Sequence, residues 1–275
     1  MEKKQAAVIG CPIGHSLSPK LHNYWLKKYH IDGLYKSYEV KPEDLESFIC
    51  HFKENNLIGI NITVPHKEEA YKIVKKHGIV TDIADQTKAV NTVFYQDDKL
   101  FGTNTDYYGF KNSFLNQAVA TNLANKKILI IGAGGAARAI IAGLLNENNV
   151  HITVVNRSVE KARELQMFFN NKILASDLSN LERKISEHDI IVNSTSCGLN
   201  GKNNLLIDFN KIKTKKIFYD IVYVPLKTKF LLEAEKRNHD IITGIGMLIY
   251  QAVPAFNYFF NRLPEVDDNI AGYLI

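Results

Sequence analysis

Lys127-Ile128-Leu129-Ile130-Ile131-Gly132-Ala133-Gly134-Gly135-Ala136-Ala137-Arg138-Ala139-Ile140-Ile141 carries the turn from which the rest of the chain is read. An unbroken apolar run such as Ile128 to Ile131 suits a strand covered on both faces. From Ala136 onward the pattern is that of a helix. Glycines at this junction suit a dinucleotide: Gly132 makes the tight turn, Gly134 lets backbone approach a pyrophosphate, and Ala137 allows close packing of the helix. The N-terminal N–H groups of the helix, around Ala133, Gly135 and Ala136, then face the phosphates. A second run, His151 to Val155, ends in Asn156-Arg157-Ser158. About twenty residues after the turn, an NAD site places Asp or Glu against the ribose 2′-hydroxyl. Here that position carries Asn156 and Arg157, with Lys161 one turn later, and a cation suits a 2′-phosphate. The stretch therefore points to NADP rather than NAD. Taken singly, the glycines also fit an ordinary strand–helix turn, and Arg157 a solvated surface. The flanking strands and helix favour the nucleotide.

Working outward, the first hundred residues alternate strand and helix patterns. Ala6–Gly10, Tyr35–Val40, Gly59–Val64 and Ala89–Tyr95 read as strands, and Pro19–Tyr29, Pro42–Glu54 and His66–Lys76 as helices. Such alternation predicts a mainly parallel sheet with covering helices. Ser18-Pro19 reads as a helix start, with a hydroxyl N-cap and proline in the first turn. A hairpin is expected near Asp98-Lys99, with one edge strand antiparallel. A helix over Tyr107–Ala118 leads to the polar stretch Ala120–Lys126, read as a domain junction. Further strands are expected at Ile173–Ala175, Asp189–Asn193, Ile217–Asp220 and Asp240–Thr243. The aromatic-rich helix Met247–Phe260 is too apolar for a free surface and is expected to pack back on the first domain. The domains are drawn as 1–106, completed by the C-terminal helices 246–275, and 107–245.

The 275 residues suffice for two such domains. A formal charge of +5, spread along the chain, contains no basic block suggesting nucleic acid and gives only a weak attraction for anionic small molecules. Met1–Gly10 does not read as a signal peptide. The longest apolar candidate, Ile128–Leu145, is interrupted by glycines and Arg138 and does not read as a membrane span. Cys11, Cys50 and Cys197 are odd in number and lack metal or redox spacing, so a reduced, cytoplasmic protein is expected. His15, His22 and His66 have no carboxylate or thiol at ligand spacing, and no metal is expected.

Ligands of open α/β sheets bind beyond the carboxyl ends of the strands. Polar clusters occur there: Gly10-Cys11-Pro12-Ile13-Gly14-His15-Ser16-Leu17-Ser18-Pro19, Asn61-Ile62-Thr63-Val64-Pro65-His66-Lys67, Asn91-Thr92, and Gly102-Thr103-Asn104-Thr105-Asp106. Hydroxyls of Ser16, Ser18 and Thr63 suit a carboxylate ligand, and Lys67 with Asp106 an acid–base pair. Hydride delivery to a carbonyl builds negative charge on oxygen, so a donor must lie within hydrogen-bond reach. A free lysine titrates at roughly 10.4 and can donate at neutral pH. Read alone, Lys67 also fits a solvated helical turn, Asp106 a helix cap, and Tyr223 and Gln251 turn and packing residues.

Together these stretches resemble the shikimate dehydrogenase family almost end to end. The opening motif continues into His22-Asn23. Later come Asn193-Ser194-Thr195-Ser196-Cys197-Gly198, Asp220-Ile221-Val222-Tyr223-Val224-Pro225 and Gly246-Met247-Leu248-Ile249-Tyr250-Gln251-Ala252. The resemblance implies NADPH-dependent reduction of 3-dehydroshikimate to shikimate, in aromatic amino-acid biosynthesis. It implies a mainly parallel α/β substrate domain and a Rossmann-like domain with the active site in the cleft. It assigns Ser16, Ser18, Thr63 and Tyr223 to the substrate carboxylate. Asn91, Asp106, Gln251 and Lys67 are assigned to its hydroxyls, with Lys67 and Asp106 catalytic. Ile221, Gly244 and Met247 are assigned to the cofactor. Two departures stand out. Ser158 and Lys161 replace the family's Thr and Arg, and lysine loses the planar, bidentate grip. Thr243-Gly244-Ile245-Gly246 replaces the commoner acidic residue and glycine. Two alternatives remain: a quinate/shikimate dehydrogenase, against which Asn156-Arg157 speaks, and a catalytically silent relative, against which Lys67 and Asp106 speak. Monomer and homodimer both remain open.

Overall fold

The computed structural model describes residues 3–117 and 122–275, the side chain of Gln117 excepted. The chain divides into two compact units, one formed by the residues up to Gly109 with Leu248–Ile275, the other by Phe110–Met247. Both divisions fall inside helices. Of the expected junction 120–126, Ala120 and Thr121 lie outside the described residues, as does Ala118 at the end of the preceding helix.

The first unit contains β1 (Lys4–Gly10), α1 (Ser18–Lys28), β2 (Gly33–Glu39), α2 (Leu45–His51), β3 (Leu57–Ile62), α3 (Lys67–His77), β4 (Ile79–Val80), α4 (Asp82–Thr87), β5 (Thr92–Gln96) and β6 (Lys99–Thr103). The helix α5 (Asp106–Gln117) leads out of it. Its sheet runs β2-β1-β3-β5-β6-β4. The β1 strand is parallel to both β2 and β3, so the order reverses at β1. The expected hairpin is present, its turn made by Asp97 and Asp98 at positive φ. The expected antiparallel edge strand is not: β5 lies inside the sheet, antiparallel to both β3 and β6. The outer place is taken by β4, parallel to β6. Two residues carry too little periodicity to announce a strand. At Gly78 a Cβ would lie 2.3 Å from the Leu100 carbonyl oxygen, so the chain reaches β6 only because this residue is glycine.

One sheet face is covered by α2 and α3 through a core that includes Ile49, Phe52, Ile60 and Val74. On the other, Phe256 and Phe259 of α10 (Gly244–Phe260) pack around His22 with Trp25 and Tyr35. Burial of a phenylalanine such as Phe256 contributes about 2 kcal/mol. Gly59 gives Phe259 its space, since a Cβ there would stand 2.3 Å from the ring.

The second unit follows the nucleotide reading. It comprises β7 (Lys127–Ile131), α6 (Gly135–Leu144), β8 (His151–Val155), α7 (Val159–Phe168), β9 (Leu174–Ser176), α8 (Leu181–Ser186), β10 (Ile190–Asn193), β11 (Ile217–Asp220), α9 (Lys229–Glu235) and β12 (Asp240–Ile242). The strands form one parallel sheet, β12-β11-β10-β7-β8-β9. Its switch point lies between β7 and β10, beyond which the glycine turn stands. The terminal helix α11 (Asp268–Leu274) belongs to the first unit.

Candidate active site

Topology explains why distant polar clusters of the first unit meet. The loops after β1 and β3 leave the same sheet edge at the switch point. Because β5 is antiparallel to β3, its start at Thr92 comes to that edge, opposite Asn61. The hairpin returns β6 there as well, with Thr103 opposite Thr92. Residues 10–18, 61–67, 91–92 and 103–106 thus share one edge.

There, Lys67 Nζ donates to Asp106 Oδ2 at 2.6 Å. The lysine side chain is 17% exposed and the aspartate 5%, so the pair is largely desolvated. A buried ion pair persists only with its remaining hydrogen-bonding capacity filled. On the carboxylate side Asn91 Nδ2 does so, donating to Asp106 Oδ1 at 2.8 Å, and it donates also to the Thr105 hydroxyl at 3.0 Å. The Thr105 N–H returns a bond to Asn91 Oδ1 at 2.9 Å. As first residue of α5, Asp106 also places its carboxylate at the positive end of a helix dipole. Its backbone N–H donates to Asn104 Oδ1 at 2.9 Å, so Asn104 does the capping while the Asp106 carboxylate serves Lys67.

Gln251 of α10 reaches the same cluster, its Oε1 accepting from the Thr105 hydroxyl at 3.4 Å and its Nε2 donating to the Leu248 carbonyl at 3.0 Å. Thr63 and the Ser16 loop are tied together: Cys11 N–H donates to the Val64 carbonyl at 3.2 Å, and a Cβ at Gly10 would stand 2.6 Å from Thr63. Ser18 departs from its expected role. It is the first residue of α1 and its hydroxyl makes no cap; its N–H donates instead to Ser16 Oγ at 3.3 Å. Tyr223, half-buried, lies beyond β11 in the other unit.

In the second unit Gly132 has φ +112°, and a Cβ there would stand 2.7 Å from Ser194 Oγ. No other residue fits both the angle and the space. Gly134 is the N-cap of α6, and a Cβ on it would meet nothing within 4 Å, so open space lies before the turn. Ala133, Gly135 and Ala136 are half-buried along the same turn, and Ala137 is fully buried. Arg157 and Lys161 are exposed and form no ion pair among the described residues. Asn156 Nδ2 donates to the Ser158 carbonyl at 2.9 Å, fixing the bend after β8. Sequence reading passed over Glu160. Ser158 Oγ donates to its carboxylate at 2.9 Å, and its own backbone N–H together with that bond hold the carboxyl below its usual range. Gly244 approaches Ile221 so closely that a Cβ would lie 2.4 Å from its carbonyl oxygen, and Met247 is buried. Both the open turn and the free cations fit a phosphorylated dinucleotide. Among the described residues no cluster of His, Cys, Asp and Glu suits a metal.

Asn61, Thr92 and Thr105 sit within motifs visible in the sequence, yet their contacts to Asn91 depend on strand register. Spacing carries no sign of them.

A six-stranded parallel sheet with a glycine turn at its switch point, together with a unit that buries a lysine–aspartate pair, defines a nucleotide-dependent α/β dehydrogenase. Family models for the shikimate dehydrogenase substrate binding domain and for shikimate / quinate 5-dehydrogenase match residues 8–93 and 114–223. The chain belongs to the shikimate dehydrogenase family. It is 38% identical over 275 residues to the shikimate dehydrogenase (NADP(+)) of Brucella abortus, covering 99% of this chain and 94% of that protein. The Thermus thermophilus shikimate 5-dehydrogenase in complex with NADP(H) and shikimate superposes with a TM-score of 0.86 at 30% identity, covering 98% of each chain. The Listeria monocytogenes enzyme in complex with shikimate and NAD gives 0.87 at 29%, covering 99% of this chain and 96% of that one. No helix among the described residues is long and apolar enough to cross a membrane.

Proposed function

We propose that the chain catalyses the reversible NADPH-dependent reduction of 3-dehydroshikimate to shikimate. The observation that carries the reading is the desolvated Lys67–Asp106 pair at the switch-point edge of the substrate unit. NADPH supplies the hydride when bound. As negative charge develops on the ring ketone oxygen, Lys67 Nζ donates the proton that completes the alcohol. Asp106 holds the ammonium in position, and water restores the proton afterwards. In oxidation the same nitrogen accepts the alcohol proton. The hydroxyls of Ser16, Ser18, Thr63 and Tyr223 take the substrate carboxylate, so no second charge need be desolvated. Asn91, Gln251 and Asp106 take the ring hydroxyls.

On the cofactor side, Gly132, Ala133, Gly134, Gly135 and Ala136 hold the pyrophosphate. Asn156, Arg157, Ser158 and Lys161 hold the ribose phosphate, while Ile221, Gly244 and Met247 line the nicotinamide end. The substrate-binding part runs over 1–106 with 246–275 and the NADP-binding part over 107–245. Three unpaired cysteines accord with a reducing cytoplasm. Nucleic acid and membranes are not partners in this reading, and light scattering decides between monomer and homodimer.

The test is initial-rate oxidation of shikimate and quinate with NADP+ and NAD+ in all four combinations. Shikimate with NADP+ is expected to give the highest kcat/KM. Preference for quinate with NAD+, or no turnover of either alcohol, overturns the proposal.

A further inference from the structure

Two motif residues without a part in that chemistry, His22 and Asn23, converge on Tyr35 of β2. The Asn23 side chain exchanges both hydrogen bonds with the Tyr35 backbone, at 2.8 and 3.0 Å, as a neighbouring strand would. The His22 ring stacks on the phenol, centroids 3.9 Å apart and planes inclined by 11°. His22 is wholly buried, and burial pushes its pKa down to about 3, so it is a neutral plate against the ring. Tyr35 is thereby fixed in backbone and ring, and only its hydroxyl reaches a polar group: it donates to Asn61 Oδ1 at 2.6 Å.

From that hydroxyl every donor points the same way. Asn61 Nδ2 donates to Thr92 Oγ1 at 3.0 Å, Thr92 Oγ1 to Asn91 Oδ1 at 2.9 Å, and Asn91 Nδ2 to Asp106 Oδ1 at 2.8 Å. The amide orientations are forced rather than chosen. The backbone N–H of Thr105 can only donate, so Asn91 must turn Oδ1 toward it, and Nδ2 is left for Asp106. Likewise the Asn91 carbonyl can only accept, so Asn61 turns Nδ2 to it and Oδ1 to Tyr35. All five side chains are buried, Tyr35, Asn61, Thr92, Asn91 and Asp106 alike. In that low dielectric, successive bonds polarise one another.

We propose that Tyr35 is a positioning residue for the reaction, its hydroxyl ending a one-way hydrogen-bonded relay through Asn61, Thr92 and Asn91 that fixes the Asp106 carboxylate, and through it Lys67. The inference rests on the proposed role of that pair. Removing the phenol oxygen leaves Asn61 Oδ1 buried without a donor and loosens the Thr92 hydroxyl from Asn91. The carboxylate then samples orientations in which Lys67 no longer faces the substrate. The groups assigned to the substrate carboxylate are untouched, and Asn91 keeps its bond from the Thr105 N–H, so contacts to the ring hydroxyls largely survive and the loss falls mainly on the proton-transfer step.

The experiment compares Tyr35→Phe, Thr92→Val, the double variant and Thr92→Ser. Each of the first two is expected to lower kcat about tenfold, with KM for shikimate within about twofold, the mark of an interaction used in the transition state. Thr92→Ser keeps the hydroxyl and is expected to keep the rate. Since both lesions cut one relay, the double variant should lose no more than the worse single. A second readout needs no turnover: side-chain amide protons of Asn91, protected from water in the parent, should exchange faster in Tyr35→Phe. Unchanged kcat and exchange in Tyr35→Phe, losses that multiply in the double variant, or a loss confined to KM would overturn the relay. A parent protein that fails to oxidise shikimate would overturn the functional reading instead, and amide exchange would still judge the relay.

Discussion

Replacing Lys67 with alanine removes the one ammonium that touches Asp106 among the described residues. General acid–base groups contribute about 10²- to 10⁴-fold, so turnover should fall about 10³-fold, equivalent to about 4 kcal/mol of barrier. Folding is affected as well. Asp106 keeps its bond from Asn91 Nδ2, but its side chain is 5% exposed and loses its counter-charge. Breaking such a pair costs about 3 kcal/mol, enough to lower the unfolding midpoint by several degrees without unfolding the chain at 25 °C. Gly132, Gly134 and Arg157 belong to the other unit, so NADPH affinity should be retained. The assay is saturating steady-state turnover in both directions, with NADPH titrated by fluorescence and melting followed by circular dichroism. Turnover near the parental rate would remove Lys67 from the mechanism. Weakened NADPH binding in step with turnover would show a structural lesion rather than a chemical one.

Arg157→Ala should weaken NADPH by roughly tenfold to a hundredfold, the worth of a charge-assisted hydrogen bond, and leave NADH nearly unchanged. Equal losses for both cofactors, measured by calorimetry, would refute the 2′-phosphate contact. Asp220 gives a pH prediction. Burial raises its carboxyl from the ordinary 3.8 to about 6, against bonds from Thr228, the Val222 N–H and Asn193. The folded state therefore binds this proton more tightly than the unfolded chain. Stability from it is present below about pH 4 and lost as pH rises to 6, a change of about 3 kcal/mol. Asp220→Asn cannot ionise, so its melting temperature relative to the parent should rise between pH 4.5 and 7.5. A difference that stays constant with pH would contradict the shift.

Much of this was legible in the chain because its signals are local. The step from a buried run to glycines and then to a helix-forming run is dictated within about fifteen residues by chain stiffness and the demand of Gly132 for positive φ. The longer strands and helices were also readable, since burial imposes its period on them, whereas the short β4 and α4 were not. The antiparallel strand was legible as a hairpin and misplaced as an edge. A turn at Asp97-Asp98 announces itself, but which strands flank the pair depends on partners far along the chain. Ser18 misled for a related reason: the sequence shows a hydroxyl before a proline, not which neighbouring hydroxyl meets the free N–H.

The residue types were set by the sequence alone: a lysine after one strand, an asparagine before another, an aspartate opening a helix, a cation just after the second strand of the nucleotide unit. Only the tertiary structure decided that Lys67 and Asp106 stand 2.6 Å apart, and that Asn91, Thr92, Asn61 and Tyr35 line up behind them. Hydrogen-bond geometry acts over about 3 Å, whereas these residues lie up to 71 positions apart in the sequence, so register and strand order had to bring them together.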